Sequence, residues 1–93
     1  MRRIELDGAC LTRRGQAMEF LDGRLALPEW WGRNLDALHD CLTDLGRPVR
    51  LELSGRGAME GTGFGRLLLR AMEDAAAENP RLELALEQEE GSR

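Results

Sequence analysis

A chain of 93 residues has room for one small domain with a single modest core. Hydrophobic residues make up 42 %, too many for a disordered chain, and the net charge of −4 argues against nucleic acid while suiting a basic protein partner. All 13 basic residues are arginine, which we read as genome composition rather than mechanism.

Arg2 and Arg3 are not followed by an apolar run of about 7–15 residues, so neither a secretory signal nor a membrane span is expected. The expected location is the cytosol, with Cys10 and Cys41 reduced. Ile4 and Leu6 alternate with Arg3, Glu5 and Asp7, which predicts a first strand ending in an Asp7-Gly8 turn. A first helix is predicted next, capped by Thr12 and apolar at Ala17, Met18, Phe20 and Leu21. Gly15 weakens it and Asp22-Gly23 is expected to stop it.

A loop with Pro28, Trp30, Trp31 and Gly32 leads to Asn34, whose side chain suits a helix N-cap. Leu35, Leu38, Leu42 and Leu45 then trace a buried stripe, closed by Gly46 with Pro48 just beyond. Val49, Leu51 and Leu53 alternate with Arg50 and Glu52 as a second strand. Five glycines between residues 55 and 65 predict a flexible loop. A longer helix follows, with Phe64, Leu67, Leu68, Ala71, Met72 and Ala75 on one face and Asn79-Pro80 as its end. Leu82, Leu84 and Leu86 alternate with Glu83 and Glu87 as a third strand. Residues 1–87 are taken as one domain and 88–93 as a frayed tail.

Strands separated by helices require parallel crossovers, which are right-handed in nearly all proteins. Parallel strands covered on both faces are continuously apolar, yet these three alternate. The prediction is a two-layer α/β domain with a three-stranded parallel sheet in the order 1-2-3 and helices on one face. Arg3, Glu5, Arg50, Glu52, Glu83 and Glu87 would occupy the open face, solvated and mutually paired.

Asp36, Asp40 and Asp44 recur every four residues on another face of the second helix. Like charges at that spacing cost about 0.2–0.5 kcal/mol per pair, so a cation outside the chain would explain the pattern. Asp36, in the first turn, is also explained by the helix dipole, whereas mid-helix Asp40 is not. Asp44 sits where the dipole disfavours an anion, a defect that a solvated helix end tolerates. Trp30 and Trp31, adjacent in the loop, should point to opposite sides, one into the core and one outward, as in a binding hot spot. Packing of both against the helix is the plainer alternative.

Rival chemistries fare worse. Gly61-Thr62-Gly63-Phe64-Gly65 has Arg66 where a dinucleotide fingerprint needs glycine, and no Walker lysine follows. Asp36 and His39 share a helix face, but Asp40 with Cys41 would need ligands pointing about 100° apart. His39 and Cys41 do not face each other as a hydrolase dyad would, so buried Cys41 is expected to pack as a small apolar residue.

The string LALPEWWGRNLDALHDCLT, residues 25–43, resembles the signature of the barstar family, intracellular inhibitors of secreted bacterial ribonucleases of the barnase type. There the segment runs L-A-L-P-E, two aromatics, G-x-N-L-D-A-L, an aromatic, then D-C-L-T. The resemblance implies a two-layer α/β domain that is no enzyme, needs no cofactor or metal, and plugs a ribonuclease active site one to one. It implies that Asp40 is the central anion at the enzyme's phosphate site and Asp36 a second acid. Trp30 would be the outward aromatic on the catalytic histidine, with Gly32, Asn34 and Thr43 at further contact positions. Asp74 and Glu78 match peripheral family acids less firmly. His39 replaces an aromatic contact residue, and Asp44-Leu45 stands where the family has Gly-Trp, so the rim of the plug differs. The family's second cysteine lies near the third strand, whereas here the second is Cys10, so no shared cysteine function follows. No membrane or nucleic acid is expected as a partner, and the free protein is expected to be monomeric. Two other readings stay open. One is an immunity or regulatory module of the same fold aimed at a different basic toxin or partner. The other is an enzyme or metal protein using Asp36, His39 and Asp40.

Overall fold

Alternation decides the sheet. In the computed structural model, which describes residues 2–25, 27–28 and 31–86, β1 (Arg2–Asp7), β2 (Val49–Ser54) and β3 (Leu82–Leu86) form one parallel sheet in the order β1-β2-β3. Ile4, Leu6, Val49, Leu51, Leu53 and Leu82 are buried, while the residues between them are not. That period of two is the pattern of a sheet covered on one face only. The predicted architecture holds.

The open face carries a charge ladder. Direct neighbours across β1 and β2 are like-charged, Arg3 beside Arg50 and Glu5 beside Glu52. Pairing diagonally, along β2 and directly across to β3 relieves the conflict. Glu52 accepts from Arg3 at 2.8 Å and from Arg50 at 3.0 Å, and Arg50 also reaches Glu83 at 2.9 Å. Glu87, the sixth predicted face residue, lies outside the described residues, as does the predicted tail at 88–93.

The hydrogen bond from Arg3, with help from Arg50, holds the Glu52 carboxyl below its ordinary range, against an opposing push from partial burial. A folded-state pKa below the unfolded value, about 4.3 for glutamate, gives stability that is present above that pH. The contribution disappears as pH falls through the folded-state value. Glu52→Gln should therefore melt with a shallower acid limb than wild type, which melting temperatures between neutral and strongly acidic pH will measure.

The helices depart from the sequence expectations in four places. Helix α1 (Arg14–Arg24) has Arg13, not Thr12, at its N-cap position, without a side-chain cap bond. It also runs through Asp22-Gly23 instead of stopping there. Leu21 and Leu25 are both buried, and Leu25 N–H donates to Leu21 O at 2.8 Å. Core packing at this i, i+4 pair outweighs the weak propensity of glycine.

The expected flexible loop contains a short helix, α3 (Arg56–Glu60). Fully buried Met59 anchors it to the core. Helix α4 (Gly63–Glu78) starts at once afterwards, with Thr62 Oγ1 accepting from Gly65 N–H at 2.9 Å. Gly65 has a packing reason: a Cβ there would lie 2.3 Å from Met59 O. The glycine-rich segment is thus a tight joint between two helices.

On α4 the buried stripe runs through Gly65, Leu68, Leu69, Met72 and Ala75, not through Leu67, which is 59 % exposed. At about 100° per residue, Leu67 lies well around the helix from Leu68 and Met72. Leu69, absent from the predicted face, takes its place in the core. Ala71 and Phe64 sit at the stripe's margin, half-buried.

Candidate functional site

Helix α2 (Leu35–Thr43) is fixed at both ends by asparagines. Asn34 accepts from Ala37 N–H at 2.8 Å, the predicted cap, and its main-chain O accepts from Leu38 N–H at 2.9 Å. At the other end Asn79, 4 % exposed, reaches from beyond α4. Its Nδ2 donates to Leu42 O at 2.9 Å and to Leu45 O at 3.4 Å, and its Oδ1 accepts from Arg81 N–H at 3.0 Å. One side chain thereby satisfies orphan carbonyls of α2 and the turn into β3.

Leu38 and Leu42 are buried, and Leu35 and Leu45 pack half-buried against the core. With that stripe inward, Asp36, Asp40 and Asp44 are exposed. The Asp40 side chain is 73 % exposed, and His39 Nδ1 lies 3.9 Å from its Oδ1. Among the described residues, Asp36 and Asp44 make no ion pair. The result is a row of carboxylates held on a capped helix, free to bind a cationic surface.

Helix α2 packs on α4, and His39 bridges them, its Nε2 3.2 Å from Glu78 Oε2. Glu78 therefore stands beside the α2 acids. Asp74, one turn earlier on α4, is exposed and lies 3.9 Å from Arg70. Thr43 spends its hydroxyl proton on Asp40 O at 3.0 Å, leaving its lone pairs outward. Asp44 caps the helix end, its N–H donating to Asp40 O and Cys41 O.

Cys41 is buried, as expected, and burial, then the charges of Asp40 and Asp44, push its thiol up. The protonated form is favoured, the reverse of what a nucleophile or metal ligand requires. Both cysteines are free. Among the described residues no cluster of three or more His, Cys, Asp or Glu is placed to hold a metal ion. Asp36, His39 and Asp40 thus do not form a metal-binding set.

The loop before α2 is partly described. Trp31 is buried, 3 % exposed, whereas Trp30 lies outside the described residues. Gly32 and Arg33 both have positive φ, 66° and 54°. Asp22 on α1 accepts from Trp31 Nε1 at 3.3 Å and from Arg33 Nη2 at 3.0 Å. Neither Asp22 nor Asn79 stood out in the sequence, where both marked only helix ends. Opposite charge on Asp22 and Arg33 was the one available signal, and no periodicity links them.

Comparison with known proteins agrees with the fold. A family model described as Barstar (barnase inhibitor) matches residues 1–88. The chain is also similar to the "Putative ribonuclease inhibitor YrdF" of Bacillus subtilis (strain 168), 44 % identical over 43 residues, or 46 % of this chain and 47 % of that protein. The chain thus spans about half the length of the curated relative it matches. A family match running across nearly the whole sequence leaves one assignment: this chain belongs to the barstar family.

Proposed function

We propose that the protein is a non-enzymatic inhibitor that binds a small, basic, guanyl-specific microbial ribonuclease one to one in the cytosol and covers its active site. The observation that carries this reading is the exposed acidic row of Asp36, Asp40 and Asp44 on a helix held at both ends. A phosphodiesterase cleft is cationic, and carboxylates can take the places of the phosphates. Arginine-to-carboxylate hydrogen bonds are charge-assisted and among the strong ones. Complementary potentials also speed encounter, which suits capture of a toxic enzyme.

In this reading Asp40 is the central anion, Asp36 the second acid and Trp30 the outward aromatic. Gly32, Asn34 and Thr43 complete the contact, with His39, Asp44, Asp74 and Glu78 at its rim. Asn34 Oδ1 is committed to its cap, so its Nδ2 is the group offered to a partner. The test is RNA cleavage by such a ribonuclease titrated with purified protein. Inhibition complete at one equivalent supports the reading, and unimpaired cleavage across a panel of basic ribonucleases overturns it.

One observation favours a second target class. His39 and Glu78 pair with each other at the rim, where the family has an aromatic residue for the former. A more polar rim suits an immunity protein against a different basic toxin. Binding to a non-ribonuclease toxin domain, with no binding to ribonucleases, would select that alternative.

A further inference from the structure

We propose that Asp22, on α1 and outside the acidic row, is a positioning residue for partner capture, because its carboxylate holds the Trp31–Arg33 turn in the shape that delivers the chain into α2. The proposal rests on the inhibitory reading for its functional half only. Its structural half stands on the free protein.

Two successive residues with left-handed backbone make this turn, and the second is arginine, which seldom adopts that conformation. Something outside the turn has to favour it. Asp22 supplies two bonds to residues on either side of Gly32, one to the Trp31 indole N–H and one to the Arg33 guanidinium. Trp31 is sunk in the core, so its N–H depends on that acceptor. An exposed ion pair contributes little to overall stability. Here its task differs: it selects one turn shape among several.

The consequences reach the binding face. Asn34 follows Arg33 directly, and its cap on Ala37 N–H begins α2. Without Asp22, Gly32, Asn34 and Asp36 lose their fixed places. Asp40 and Thr43 keep theirs, since core packing and Asn79 hold the later turns of α2. A partner would then meet a protein whose competent form is only a fraction of the whole, and capture slows by that fraction.

The experiment compares wild type, Asp22→Ala, Asp22→Asn and the double variant Asp22→Ala with Arg33→Asn. Amide hydrogen exchange is read in the free proteins. Association is read with a small basic guanyl-specific bacterial ribonuclease at high salt, where net-charge steering is screened. For Asp22→Ala the bonded amides of Trp31, Ala37 and Leu38 should exchange about tenfold faster, with β1 to β3 unchanged and association about tenfold slower. Asp22→Asn, which keeps an acceptor for Trp31, should fall between. Asparagine at position 33 tolerates the left-handed backbone and should restore much of the loss.

Unchanged exchange at Trp31, Ala37 and Leu38, or a uniform rise over the whole chain, overturns the assignment. So does faster local exchange with unaltered association in a protein that binds. If wild type binds no ribonuclease, the inhibitory reading fails alone, and the exchange comparison still decides what Asp22 does.

Discussion

Asp40→Ala is expected to abolish tight inhibition while melting no lower than wild type. Its side chain is mostly exposed and helps no packing, so little stability is lost. Two i, i+4 repulsions, with Asp36 and Asp44, disappear at about 0.2–0.5 kcal/mol each. Alanine also has the higher helix propensity, by about 0.5 kcal/mol. Together these raise the melting temperature by about 5–8 °C for a domain of this size.

Binding should move the other way. Removing one member of a desolvated, hydrogen-bonded charge pair costs about 2–5 kcal/mol, a general range whose best-known example comes from this same family. That corresponds to a roughly 30- to 5,000-fold rise in Kd. Titration calorimetry with the ribonuclease and a thermal melt of the free variant check both halves. Inhibition equal to wild type would place the anchor elsewhere.

Among the alanine substitutions discussed, Asn79→Ala is expected to have the largest effect on stability. It leaves Leu42 O without its partner in a buried setting, and Leu45 O and Arg81 N–H without theirs in part-buried ones. A buried orphan costs about 1–3 kcal/mol and the part-buried ones less, so a loss of about 2–4 kcal/mol follows. The melting temperature should fall by about 10–25 °C. Asn79→Asp should be worse at neutral pH, since it keeps an acceptor for Arg81 but turns a charge toward two carbonyl oxygens. Circular dichroism melts of the three proteins decide the point. Below the melting range, Asn79→Ala should inhibit less tightly, because the end of α2 that carries Asp44 is no longer fastened.

Much of the fold was legible because two periodicities carry it. The alternation in β1, β2 and β3 announced both the strands and the single covered face, and Leu38 and Leu42 announced the buried side of α2. What escaped was decided by tertiary contact. Gly23 is a poor helix residue that α1 includes because Leu21 and Leu25 are buried together. The glycines around Met59 suggested looseness, but Gly65 is there because two helices meet too closely for a Cβ. Leu67 and Leu69 are chemically alike, and only the phase of α4 against the sheet separates the exposed one from the buried one.

The site divides in the same way. The acids of α2 and the cap at Asn34 are local features, visible from spacing. The meeting of His39 with Glu78, the two bonds to Asp22 and the reach of Asn79 join residues distant in sequence. Such pairs depend on how helices dock, and nothing in the order of residues marks them.

The placement of Asn79 also bears on how long the protein survives. The same side chain that fastens the end of α2 is bonded to Arg81 at the entrance to β3, an outer strand of the sheet. Beyond Leu82, β3 is not fully buried, and sparsely buried segments open at low free energy, where proteases gain hold. A cut that strips β3 away would release α2 as well, so a damaged molecule would lose its carboxylate row along with the strand. Turnover would then remove inhibitory capacity in one step, leaving no half-folded fragment to compete for the enzyme.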